Sequence, residues 1–392
     1  MRNFRAYPLV WATHTAARAA ATGWQRRGLL TPEQSAAIAA AYPLGYYRPS
    51  VFLRVGLFLF TWFGLASSGL LFGWIFELGG VELGLALLAA LCVGALEWAI
   101  RDGRHYRSGF DNALLYCALG AVAALLSLLI NKFFPAPAPV SARAELLLLA
   151  LLLPVLLLAL LRYADPLVAA ATYAVALALL AKLLLFGSAG RLLLPFVGVA
   201  VGAGLHAWLG QLPKRPDYPY YQSAIWVLRV LALATTYLAG NYLVVREGNA
   251  ALLGEAASGE IPFAAPFWVF TALIPLIYLG LGLRRHDRLL LGLGVLALGF
   301  SVFTLRHYHA VLPPAWAATL AGAALVAGTL LALRYLRQPR HGLTAAADAA
   351  APPAFDLEAF AVAQTVELPT APAPGFEFGG GQSGGGGATG SF

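Results

Sequence analysis

Long apolar runs separated by short polar turns repeat along the chain from position 51 to position 333. The first, over 51–76, reads VFLRVGLFLFTWFGLASSGLLFGWIF and carries one charge, Arg54, near its start. About 20 apolar residues in a helix cross the roughly 30 Å hydrocarbon layer of a bilayer, so this run is long enough to span. Nine more follow, over 81–100, 111–130, 145–161, 166–186, 191–209, 222–245, 266–283, 288–305 and 314–333. The fourth and fifth are separated only by Arg162-Tyr163-Ala164-Asp165, the eighth and ninth only by Arg284-Arg285-His286-Asp287. Each pair is read either as a tight turn between spans or as a re-entrant pair. The pattern predicts an all-α polytopic transmembrane helix bundle of about ten spans, occupying residues 49–337.

Residues 1–48 have a different pattern. Leu9, Ala12, Ala16, Ala20 and Trp24 recur at helical spacing. Gly28 suits the left-handed position after a helix end. Thr31-Pro32-Glu33-Gln34 then reads as an N-cap, a first-turn proline and the closing residue of a capping box. A second helix is expected over 32–42, stopping before Pro43. Two short helices bury little alone, so this hairpin is expected to dock on the membrane surface or on the turns between spans.

Composition strengthens the membrane reading. Hydrophobic residues make up 60% of the chain and charged residues 11%, with a mean hydropathy of +0.74. Soluble domains are about half apolar and about a quarter charged. A net charge of +8 raises the question of nucleic acid, but the basic residues sit in short turns between apolar runs, so no nucleic-acid partner is expected. With residues 1–48 inside, nineteen Lys and Arg fall on the cytoplasmic side and five on the outer side. That is the asymmetry of the positive-inside rule, and it places both termini in the cytoplasm. Trp74, Trp268 and Trp316 fall near outer span ends, Trp98, Trp208 and Trp226 near inner ends, with Tyr218, Tyr220 and Tyr221 joining the inner belt. No removable signal peptide is read in the first fifty residues, so the first span is expected to act as an uncleaved anchor.

Candidate chemistry is sparse. Charges at a span centre cost about 2.5–3.5 kcal/mol on insertion scales and mark pathways; none is found there. Arg54, Glu97, His206 and Arg229 lie toward the cytoplasmic ends of their spans. They are read either as snorkelling or structural ion-paired groups, or as a cytoplasm-facing polar cavity in which Glu97, Arg54 and Arg229 converge. His307 and His309 share one side of an extended segment and form a weak metal candidate, weighed against plain interfacial side chains. Cys92 and Cys117 lie in apolar runs and read as small buried hydrophobes. Gly69-x-x-x-Gly73 and Gly198-x-x-x-Gly202 have the spacing of close helix contacts. Gly202-x-Gly204-x-x-Ala207 and Gly292-x-Gly294-x-x-Ala297 lack the preceding strand a dinucleotide site needs. Pro154 and Pro275 are expected to kink their helices. No hydrolase or phosphate-loop motif is present, and no cofactor is expected.

The residues Gly23-Trp24, Gly28-Leu29-Leu30-Thr31-Pro32-Glu33-Gln34, Ile38 and Tyr42, followed by spans, resemble the opening of a family of bacterial multi-span membrane proteins known as domain of unknown function 2157. That resemblance covers roughly 25 residues and implies no activity. Residues 338–392 are Ala, Pro and Gly rich, and 341–392 carry five acids with no Lys or Arg. This composition predicts a disordered tail, with Phe355, Leu357, Phe360 and Val362 as a short binding segment. The glycine-rich end, Phe378 to Phe392, resembles the tails of TPM-domain membrane proteins. The function read from the sequence is a non-enzymatic membrane scaffold or accessory component, with partners reached through 1–48 or 341–392. The alternative is a small-molecule transporter with a polar crevice near Glu97 and Arg229. An enzyme acting on lipid-linked substrates is a third class, with no specific residue in its favour.

Overall fold

A computed structural model describes residues 4–71, 73–134 and 141–309 and scattered positions between 319 and 337, with the backbone alone over 68–71, 73–79 and 141–142. The expected tenth span over 314–333 falls largely outside the described residues. So do the tail 338–392 and its binding segment, and the surroundings of the Gly69-x-x-x-Gly73 motif. The elements are α1 (Leu9–Arg26), α2 (Pro32–Ala41), α3 (Val51–Leu71), α4 (Gly73–Arg101), α5 (Phe110–Phe133) and α6 (Ser141–Tyr163). After them come α7 (Pro166–Leu185), α8 (Gly190–Leu209), α9 (Tyr218–Gly240), α10 (Tyr242–Leu253), α11 (Ala264–Arg285) and α12 (Arg288–Tyr308).

Among the described residues, eight helices are long and apolar enough to cross a membrane: α5 to α9, α11, α12, and α4 from its break at Gly80 onward. Helix α3 is apolar as well over its described part. The outward faces bear Phe60, Leu91 and Leu296 at 79%, 69% and 70% exposure. At about 25 cal/mol per Å² such faces would be costly in water; against lipid tails they cost nothing. The molecule is an all-α, multi-pass membrane protein.

The two closely spaced pairs are full-length helices joined by tight turns. Between α6 and α7, Ala164 takes a left-handed backbone and Asp165 caps α7 by accepting from the amides of Leu167 and Val168. Between α11 and α12, His286 is left-handed and Asp287 caps α12 through the Leu289 amide. A correction falls on the seventh span, expected over 222–245. Helix α9 begins earlier, at Tyr218, and stops at Gly240. Asn241 leaves helical geometry (ψ 127°) and its Oδ1 accepts from the amides of Leu243 and Val244, starting α10. At about 18 Å, α10 is too short to cross. An apolar run conceals this stop, because the N-cap chemistry of one Asn outweighs the hydrophobic continuity around it. Helices α6 and α11 run through Pro154 and Pro275 as single helices.

Helices α8 and α9 pack closely at the predicted small residues. A Cβ on Gly198 would lie 2.8 Å from the Ala239 Cβ, and one on Gly202 would lie 2.6 Å from the Ala232 carbonyl and collide with Thr236. Cys92 is buried, Cys117 partly so, and both thiols are free in the core of the first half. In the N-terminal hairpin Gly28 has φ 69°, and the capping box forms as expected: the Gln34 amide donates to Thr31 Oγ1 at 3.3 Å and the Thr31 amide to Gln34 Oε1 at 2.9 Å. The hairpin docks on the turns. Tyr7 and Ala12 are buried in the same core as Leu96, Tyr106, Leu114 and Tyr163. Tyr106 also stands edge-on to Tyr46.

Candidate functional site

Among the described residues, a dense polar network lies at the end of the bundle that carries the N-terminal strap. Residues 4–7 form a strap across three interhelical turns. The Ala6 amide donates to the Arg162 carbonyl (3.0 Å), and Arg162 Nη1 donates back to the Phe4 carbonyl (2.9 Å). Arg5 Nη2 pairs with Asp217 (2.8 Å), and its guanidinium lies 5.6 Å from the Tyr220 ring centre. The Tyr7 hydroxyl donates to Asp111 Oδ2 at 2.7 Å.

Asp111, at 1% exposure, is saturated. Besides Tyr7 it accepts from the amides of Arg107 (2.7 Å) and Ser108 (2.8 Å) and from Ser108 Oγ (3.2 Å). The loop reaches this geometry because Gly109 takes φ 94° and passes so close to the Arg54 carbonyl that a Cβ would overlap it. Burial, then the neighbouring Asp111, pushes the Tyr7 hydroxyl well above the usual phenol value, so Tyr7 stays a donor. Asp165 accepts from Asn112 Nδ2 (2.8 Å) and the Tyr116 hydroxyl (3.0 Å) as well as its two capping amides. Burial still raises its carboxyl above the ordinary range, against the pull of those donors. Arg107 Nη2 donates to the Ala164 carbonyl at 2.9 Å, tying the α4–α5 loop to the α6–α7 turn.

The four sequence candidates fall in three places. Glu97 is held by Arg162 through two bonds, Nε to Oε1 at 2.8 Å and Nη2 to Oε2 at 2.6 Å, and by the Tyr163 hydroxyl at 2.8 Å. Arg54 donates to the Pro49 carbonyl at 3.3 Å and lies near Asp111 and Arg107. Arg229 pairs with Asp287, and His206 lies beside that pair. Glu97 and Arg229 thus have separate partners and do not converge in one cavity. Burial alone would raise the Asp287 carboxyl, but the Arg229 guanidinium holds it below the usual carboxylate range. His307 and His309 engage rings, with His307 edge-on to Tyr308 and His309 5.1 Å from Trp268. Among the described residues no three His, Cys, Asp or Glu side chains gather as a metal site.

A second polar ladder, invisible to charge counting, runs between α9, α11 and α12. Asn241 Nδ2 donates to the Tyr237 hydroxyl (3.0 Å) and to Thr304 Oγ1 (3.1 Å), Tyr237 meets Ser301 (2.8 Å), and Ser301 donates to the Thr271 carbonyl (2.6 Å). These groups are neutral and mutually bonded, so they lock three helices without burying a charge. What the strap network does chemically is fasten: each buried carboxylate has its donors arranged around it. Comparison with known proteins gives no match: no family model covers the chain, and no curated protein and no solved structure aligns with it.

Proposed function

We propose that this chain is a bacterial inner-membrane scaffold or accessory protein whose strapped end faces the cytoplasm and presents α1 and α2 to a protein partner. One observation carries the reading: residues 4–7 are fastened to the turns after α4, α6 and α8 by side-chain and backbone bonds of 2.7–3.0 Å. Such a strap turns three separate loops into one face and costs ordering entropy of about 1–2 kcal/mol per residue, an outlay that a rigid platform explains. On that platform the hairpin leaves Val10, Trp24 and Leu29 exposed at 54%, 48% and 66%, an apolar surface on a water-facing element. The Lys and Arg asymmetry supports the orientation.

The test is site-specific photocrosslinking in the native membrane from positions 24 and 29, with the lipid-facing Leu91 of α4 as control. The scaffold reading expects one discrete protein adduct from both hairpin positions, the one from position 24 removed by Leu29→Glu, and lipid adducts alone from position 91. Hairpin positions that give no protein adduct would overturn it and favour the transporter alternative.

A further inference from the structure

At the opposite end of the bundle, α7, α8, α9 and α10 line a half-open chamber of about 820 Å³, with Glu255 and residues 259–262 along one side. Its walls are mostly apolar and include Leu177, Leu192, Leu238, Val245 and Leu252. Its size falls within the roughly 300–1,000 Å³ of ligand sites. The wall is built rather than loose. Arg246 Nη2 donates to the Ser258 carbonyl at 2.7 Å, Ser258 Oγ donates to Glu247 at 2.7 Å, and the Tyr308 hydroxyl donates to Glu247 at 2.6 Å. Those bonds commit Arg246 and Glu247. They leave Arg191, Glu255 and Glu260 on the chamber's lining, exposed and, among the described residues, joined to no other side chain by a hydrogen bond or ion pair.

We propose that this chamber holds the acyl chain of a zwitterionic glycerophospholipid, its ammonium set against Glu255 and Glu260 and its phosphate against Arg191. Three features select that occupant. An apolar void among membrane-crossing helices is adjacent to hydrocarbon, so an acyl chain fills it without crossing water. Two carboxylates against one guanidinium disfavour a head group with only negative charge. A head carrying both signs satisfies all three rim groups through charge-assisted bonds. Gly248 of α10 faces the void: a Cβ added there meets no atom within 4 Å. A larger side chain at 248 therefore enters the chamber without displacing the protein.

The experiment is native mass spectrometry of the full-length protein with chain-matched phosphatidylethanolamine and phosphatidylglycerol as probes. The expected result is one retained phosphatidylethanolamine, with phosphatidylglycerol about tenfold weaker, equivalent to about 1.4 kcal/mol. Gly248→Phe should lose both lipids while Gly248→Ala keeps them. The double variant Glu255→Gln/Glu260→Gln, on exposed side chains, should reduce phosphatidylethanolamine to the phosphatidylglycerol level. No lipid retained at one-to-one stoichiometry, equal retention of the two lipids, or unchanged retention in a Gly248→Phe protein that elutes as wild type would each overturn the proposal. Should Gly248→Phe fail to fold, an unchanged preference in the double Gln variant overturns it alone.

Discussion

Removing the Tyr7 hydroxyl should loosen the N-terminal strap by an amount the geometry sets. Tyr7 is buried at 4% exposure and its hydroxyl donates to Asp111 at 2.7 Å. Hydrogen bonds to charged groups contribute about 1.5–3 kcal/mol. In Tyr7→Phe the carboxylate keeps the Arg107 and Ser108 amides, so the lower end applies, about 1.5 kcal/mol, or roughly tenfold in a local opening equilibrium. Asp111→Ala removes the shared acceptor and strands Tyr7 and both amides, each unsatisfied buried donor costing about 1–3 kcal/mol. Allowing for relaxation, a loss of about 3–5 kcal/mol follows. Hydrogen exchange by mass spectrometry on the full-length protein in nanodiscs reads this through peptides covering residues 4–20, because the Ala6 amide is bonded to the Arg162 carbonyl. Exchange should be about tenfold faster in Tyr7→Phe and more than a hundredfold faster in Asp111→Ala, with α12 peptides unchanged. Unchanged exchange over 4–20 in both variants would refute the strap.

Three further outcomes follow from the same structure. Asp287 lies below its unfolded value near 4 because of Arg229; its contribution is present above that pH and is lost as pH falls through the lowered value, so wild type should lose stability there faster than Asp287→Asn in detergent thermal melts. Asn241, fully buried, holds the α10 cap and bonds Tyr237 and Thr304; Asn241→Ala should cost about 2–4 kcal/mol in denaturant unfolding, and Asn241→Ser, which keeps a cap oxygen, should recover about 1 kcal/mol. Gly202→Leu should prevent α8 and α9 from closing and abolish a monodisperse elution peak, whereas Gly204→Leu on the same helix, where a Cβ meets nothing within 4 Å, should be tolerated.

The apolar runs made the helices legible because lipid imposes two requirements on all of them: enough length, and no unpaired backbone group. The α2 cap was legible for a local reason, since Thr31 and Gln34 are three residues apart. What stayed hidden depends on which helices become neighbours. Glu97 finds Arg162 across 65 positions and Arg229 finds Asp287 across 58, distances at which periodicity carries no information. The stop at Asn241 hid inside a hydrophobic run, and the ladder of Tyr237, Asn241, Ser301 and Thr304 carries no charge to mark it. One signal was present and unused. Leu161-Arg162-Tyr163-Ala164-Asp165-Pro166-Leu167 and Leu283-Arg284-Arg285-His286-Asp287-Arg288-Leu289 share the spacing Leu-Arg-x-x-Asp-x-Leu. Both build the same turn, a left-handed residue followed by an Asp cap.

The alternation of turns between two faces of a membrane is tested most directly by single-cysteine accessibility in a Cys92→Ala/Cys117→Ala background. A membrane-impermeant maleimide applied outside intact cells should label cysteines placed at 188 and 255 and spare those at 102, 215 and 286, with the pattern reversed in inside-out vesicles. Labelling of positions 215 and 255 from the same face would contradict the account.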